Sequence, residues 1–478
     1  MTQNVNNITE RMDDHALECV PEAQRTGWLK LSWNTAGIVT TLVQMFFGAL
    51  VTFAAGLRVA IISGIFVTLV GAALGWAVGN VGTQTGLSST LITREYGLGT
   101  RGSCLASLIL GFMIIGFLAI ENALLYNGVL FFFDLPDTML WKIVIYGVFT
   151  LGWILLTGFG FELVAKVSSI ALLAFLVLLA WMLIRIVGHS SQAAASVLSF
   201  GPQMPAPALA KLGITSSWGA YVFCINVLIG SAGALALVDA DFGRYARTSR
   251  DIGLAALTGN IAMSIVMLSI GGIVMYAGFD HVVSYFMDVR GLPQAQAQSM
   301  ALASPSSIAS AFIIFGGVVG AILMVFAQSK AQVLNTYSGS LALANFFDAL
   351  FGWRPGRFTF VVLANVIGLV MLYGKLLALV NSWITILGVL TTSLAGVVVA
   401  DFYIVRQAGM QLSAATPRQP EAVNWAGIVT ILVGTCLAHF VMQGVIRIEF
   451  FTSLVVSLVL YPALRLAVFR PAKAGLVA

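Results

Sequence analysis

IASAFIIFGGVVGAILMVFAQSKAQVLNTYSGSLALAN, residues 308–345, is apolar over most of its length and carries one charge, Lys330. Charge near a bilayer centre costs at least about 2.5–3.5 kcal/mol, so such a residue faces a protein interior and usually has work to do. Two acids share this setting, Glu121 in GFLAIENALL and Asp239 in GALALVDADF. The stretch is one of many. The 478 residues are 59% hydrophobic and 9% charged, with a mean hydropathy of +0.96. Soluble domains carry roughly 25% charge, so the solvent of this chain is lipid.

Twelve apolar spans can be read, at residues 36–55, 59–81, 104–131, 141–159, 163–187, 218–242, 254–279, 308–345, 358–373, 376–403, 425–444 and 450–468. About 20 helical residues cross a bilayer core. The pattern predicts an all-α integral membrane protein of twelve transmembrane helices. Arginine and lysine collect on one side (Arg94, Arg101, Lys166, Arg244, Arg247, Arg250, Arg354, Arg357, Arg406). By the positive-inside rule that side is cytoplasmic, with both termini, and the expected location is the inner (plasma) membrane. Residues 1–30 read as a cytoplasmic tail without signal-peptide features, and residues 471–478 as a second tail.

The first span carries Gly48 and Gly56, and the sixth carries Gly230, Ser231 and Gly233. Small residues at matching places five spans apart fit an inverted repeat with its binding site at unwound midpoints. They equally fit close helix packing.

On the third span Ile114, Phe117 and Glu121 share one helix face. An aromatic surface beside a carboxylate suits a flat, nitrogen-rich solute. On the eighth, Gln328, Gln332 and Asn335 form one stripe, and Lys330 and Tyr337 another. The amides fit a ring edge or ordinary interhelical bonding. Three roles fit Lys330: an ion pair with Glu121 or Asp239, a proton carrier, or a contact to an anionic solute. Asp239 is placed on the inner half of the sixth span, lining a vestibule. Asp241, Arg244 and Arg247 read as a solvated loop. His439 has no evident acid nearby and reads as packed. The scattered Cys19, Cys104, Cys224 and Cys436 have no metal-ligand spacing. No catalytic motif, nucleotide-binding domain or nucleic-acid signature is present. The expected partners are a small solute and lipid, with no cofactor, no metal, no nucleic acid and no obligate protein partner. A solute sensor and an intramembrane enzyme are the rival classes; the first lacks a signalling domain here and the second a paired catalytic group.

Four stretches resemble the purine–cytosine permeases of the nucleobase:cation symporter-1 family: TGLSSTLITREYGLGTRGS (residues 85–103), LGFMIIGF (110–117), GSAGALALVDADFGRYAR (230–247) and AGVVVADFY (395–403). The resemblance implies two inverted five-helix repeats in a leucine-transporter-like fold, residues 31–187 and 188–406. Two C-terminal helices follow in residues 407–470. It implies import of a nucleobase, hydantoin, allantoin or related solute by alternating access. Phe117 falls on the family's stacking position, and Ala232 where a second aromatic stands. Ile114 falls on a substrate-contacting glutamine, and Ala327 and Gln332 on two asparagines. Gly48, Ser231 and Gly233 would expose backbone to the solute, with Gln328 nearby. The two hydroxyl residues that help hold sodium correspond to Lys330 and Ala331. An ammonium there removes oxygen ligands and adds charge where the cation would sit. The expectation is therefore proton coupling or no coupling ion, with Lys330, Glu121 and Asp239 as the coupling groups. A sodium-coupled symporter and a carrier of a cationic amine or guanidine-like solute are the alternatives.

Overall fold

The structure is a computed structural model, and it describes residues 17–158, 161–303, 307–373, 379–406, 421–442 and 444–469. Among the described residues it is all helical; Thr26 and Ala246 form an isolated bridge. The main helices are α1 (Trp28–Val39), α2 (Leu42–Ala55), α3 (Leu57–Thr85), α4 (Ser89–Glu95), α5 (Ser103–Phe133), α6 (Met139–Gly158), α7 (Phe161–Gly188), α8 (Ser217–Gly243) and α9 (Ser249–Asp288). They continue with α10 (Gln294–Ala303), α11 (Ser307–Gly316), α12 (Val318–Phe351), α13 (Arg357–Tyr373), α14 (Val380–Val399), α15 (Trp425–Cys436) and α16 (Glu449–Ala463).

Nine of the described helices are long and apolar enough to cross a membrane, or up to eleven if each of two bent pairs counts as one span. This is a multi-pass membrane protein. Burial separates its inner and outer helices. The apolar window of α8 is 83% buried and that of α6 only 17%, so α8 is central and α6 presents Ile143, Val148 and Leu151 outward. Every residue of α2 is buried.

Two expected boundaries move. The first span does not break at Gly48 but at Thr40 and Thr41, where α1 and α2 meet at 68°. Thr40 ends α1 (ψ 64°) and its Oγ1 turns back to donate to Ala36 O at 2.7 Å. The stretch 308–345 is two helices rather than one. Gly317 has φ +54°, which a side chain tolerates poorly, and it reverses the chain between α11 and α12. The reversal folds α11 onto α12, where a Cβ at Gly320 would overlap Phe312 O.

The sixth span is one unbroken helix of 27 residues. Its small residues are contacts instead of breaks. A Cβ at Gly230 would lie 2.5 Å from Ile384 O, and one at Gly233 would lie 2.9 Å from Thr391 Oγ1, both on α14. Gly48 likewise faces the Leu268 backbone of α9. In lipid, close backbone approach replaces the hydrophobic effect as the association force, so glycine marks contacts.

Candidate functional site

The site grows from the end of α1. The last carbonyls of a helix have no intrahelical partner, and the helix dipole makes that end negative. Lys330 on α12 is fully buried and answers this end. Its ammonium donates to Gly37 O at 3.3 Å and, more closely, to Thr40 O. The Phe175 ring of α7 lies 4.6 Å from Nζ and supplies a cation–π contact. No ion pair within 4 Å joins Lys330 to Glu121 or Asp239, though Lys330 and Glu121 lie close enough to interact electrostatically. A cation thus sits where two main-chain oxygens converge at a helix break.

Glu121 on α5 is buried, with Thr41 and Lys330 among its neighbours. Its Oε2 accepts from Asn335 Nδ2 at 3.1 Å. Gln328 Nε2 donates to Glu121 O at 3.2 Å. Gln332 Nε2 donates to Leu118 O at 3.0 Å and to Asn122 Oδ1 at 2.8 Å; Trp153 Nε1 also donates to that oxygen, at 2.9 Å. The amide stripe of α12 therefore stitches α12 to α5. The Oε1 atoms of Gln328 and Gln332 remain buried without a partner. These are spare acceptors in an interior where unmet polar groups are costly.

Phe117 is half-buried and packs edge-on against Trp383 of α14, ring centroids 4.9 Å apart. Gln44 Nε2 on α2 donates to Ser231 Oγ on α8 at 3.4 Å, so Ser231 does meet the broken first span.

Other expected members lie elsewhere. Ala232 faces α3, where a Cβ at Gly71 would lie 2.9 Å from its own Cβ, so it does not enlarge the solute space. The Cα faces of Gly48 and Gly233 are packed against α9 and α14. Asp239 lies against Gly75 of α3 and Ala256 of α9, and both its buried oxygens lack hydrogen-bond partners. It lines no vestibule. Asp241 and Arg244 are buried and not in a solvated loop. Asp241 Oδ1 accepts from Ser89 N at 2.7 Å, and Arg244 Nη2 donates to Tyr337 OH at 2.7 Å. Here Thr26 N donates to Tyr245 O at 2.6 Å and Arg25 Nη1 to Thr83 O at 2.8 Å, fastening the N-terminal segment across this end of the bundle. His439 does have an acid: Nδ1 is 2.7 Å from Glu449 Oε2.

The sequence reading missed Gly37, Thr40, Phe175, Gln44 and Trp383. Only the adjacent threonines hinted at the break, since β-branched residues lower helix propensity slightly. The others acquire meaning only from partners far along the chain.

A helical membrane bundle with one span broken beside buried polar side chains has the build of a membrane transporter. The chain belongs to the family of permeases for cytosine/purines, uracil, thiamine and allantoin, whose family model matches residues 19–461. This is a family of transporters and not of enzymes. No curated protein matches the sequence. Among solved structures, the inward-facing conformation of Mhp1 aligns with a TM-score of 0.65 and 17% identity, over 93% of this chain and 91% of that one. Mhp1, a nucleobase-cation-symport-1 transporter, in a closed conformation with bromovinylhydantoin bound aligns with a TM-score of 0.65 and 16% identity, over 93% of each. A substrate-bound, outward-open sodium-coupled sialic acid symporter aligns with a TM-score of 0.61 and 13% identity, over 98% and 95%. At these identities the likeness is one of fold.

Proposed function

We propose that this chain is a secondary active transporter that imports a small nitrogen-rich solute by alternating access, and that sodium does not drive it. The observation carrying this is the Lys330 ammonium on the Gly37 and Thr40 carbonyls at the helix break. Two main-chain oxygens at a helix C-terminal end are the donor set that broken transporter helices offer a coupling cation. A tethered ammonium occupies that set. Lysine can also release its proton as a neutral amine, which a bound metal ion cannot do. Proton coupling, or exchange without a coupling ion, follows.

The solute site is proposed between α2, α5, α8, α12 and α14. Phe117 and Trp383 supply aromatic surface, and Glu121 with Asn335 supplies a polar edge. The spare acceptors of Gln328 and Gln332, with the Glu121 carboxylate, favour a solute rich in N–H donors. A nucleobase or hydantoin fits this description, and so does an amine- or guanidine-bearing ring. Asp239, set apart from Lys330, is proposed as a second group able to carry a proton.

Twelve spans are proposed: the nine long helices, the bent α1–α2 pair, and the shorter apolar helices Arg357–Leu372 and Trp425–Val441. They divide into repeats at residues 31–187 and 188–406 and two further spans in 407–470. Both termini are proposed to be cytoplasmic, in the plasma membrane.

Counterflow tests transport itself. Proteoliposomes are loaded with unlabelled cytosine, hypoxanthine, hydantoin, allantoin or guanidine, and entry of the matching labelled compound is followed. At least one planar, donor-bearing compound is expected to show transient overshoot. Absence of overshoot for all of them, in vesicles containing monodisperse protein, would remove the transport reading.

A further inference from the structure

A separate cavity of about 110 Å³ lies at the far end of α2. Phe53 stands nine residues beyond Gln44, about 13 Å along the helix from the candidate site. The cavity is therefore at the end of the bundle opposite the Arg244–Tyr337 network. Its wall is aromatic: Phe53, Tyr276 and Phe279 line it. Phe53 and Phe279 meet edge-on at 6.0 Å, and Phe200 stacks on Tyr276 at 4.2 Å and 4°, which holds the wall rigid. The floor is pinned as well, because Gln203 N donates to Phe53 O at 2.7 Å and Leu57 N to Phe200 O at 3.0 Å.

The rim is polar and carries one charge. Asp280 lines the cavity with Gln192 and Gln203. Asp280 Oδ2 accepts from Ser191 Oγ at 2.7 Å and from Gln192 Nε2 at 3.4 Å. Among the described residues no lysine or arginine pairs with Asp280, and the neighbouring His281 packs on Phe315, ring centroids 5.1 Å apart. A carboxylate oriented by two donors, with no cation of its own, stands at the edge of an aromatic wall. That combination attracts a flat cation, through the charge at one edge and the ring faces at the other. At about 110 Å³ the space is smaller than the roughly 150 Å³ cavity that encloses a benzene ring, so a single ring would enter it part-way with its charged edge left at the rim.

We propose that this cavity is a second solute site, separate from the one at Lys330, and that it takes a planar single-ring organic cation such as an amidinium or protonated aminopyrimidine. It would collect such a solute at the mouth of the bundle. The site is read from its own geometry, and its test is binding and not transport, so its failure leaves the transport proposal standing.

The test is equilibrium binding of labelled benzamidine to the purified full chain in lipid nanodiscs, with neutral benzamide as the matched control. Benzamidine should bind at least about tenfold more tightly than benzamide. Asp280→Asn should erase that difference, and Tyr276→Ala should weaken binding of both compounds. Asp280 is exposed, so Asp280→Asn is expected to fold as the parent does, which a matching elution profile checks. The proposal is overturned if benzamidine fails to bind, if the two compounds bind equally, or if Asp280→Asn leaves their difference intact.

Discussion

Lys330→Thr is expected to reduce concentrative uptake by roughly 30- to 1,000-fold while counterflow persists. The reduction corresponds to about 2–4 kcal/mol, at about 1.4 kcal/mol per tenfold. The reasoning starts from two carbonyls, Gly37 O and Thr40 O, that now accept from one ammonium. A threonine side chain is too short to reach both. Each buried acceptor left without a donor costs about 1–3 kcal/mol. That penalty falls on the arrangement in which Lys330 holds the break, so the balance between states shifts and coupling is lost. Exchange needs only that solute bind and the protein reorient, so it can survive. Lys330→Met is the companion variant: it keeps much of the stem against Phe175 and removes the charge. If Lys330→Met accumulates solute like the parent, the ammonium has no coupling role.

The second large effect concerns packing. Gly271→Leu should remove most monodisperse protein or sharply lower its unfolding temperature in detergent. Gly271 of α9 faces the carbonyl of Met45, and Gly48 of α2 faces the backbone of Leu268, so the two helices meet glycine to backbone in both directions. Overpacking a core ordinarily costs about 1–3 kcal/mol because side chains shift aside. Here the obstacle is main chain on both sides, so whole helices must separate. Gly147→Leu is the control. Gly147 is exposed on α6, and a Cβ there meets nothing within 4 Å. It should elute and melt like the parent. Equal behaviour of the two variants would refute the close α2–α9 contact.

The sequence exposed the apolar helices because length and composition alone define a bilayer-crossing segment. α3, α5 and α8 match the expected 59–81, 104–131 and 218–242 to within a few residues. Family membership was legible in short motifs around the ends of spans two, six and ten and within span three. The break was not legible. Glycines at Gly48 and Gly230 fitted interruptions and close contacts equally, and in this bundle they are contact points. The true interruption at Thr40 is held by Lys330, 290 positions away, and no local pattern encodes that distance. The same limit explains Gly317: an apolar run through residues 308–345 gives no sign of the positive φ that splits it. Glu121 and Lys330 were visible as charges in apolar sequence, but their partners, Asn335 and the α1 carbonyls, were set by packing.

The central claim is that the Lys330 ammonium stands where a coupling cation would otherwise bind. Its most direct test uses the solute that shows counterflow, in proteoliposomes with the membrane voltage clamped. An inward sodium gradient at equal pH is imposed in one set, and an inward proton gradient without sodium in the other. Sodium is predicted to give no accumulation above the equilibrium level, with any accumulation confined to the proton gradient. Accumulation driven by sodium at fixed pH and voltage would contradict the account.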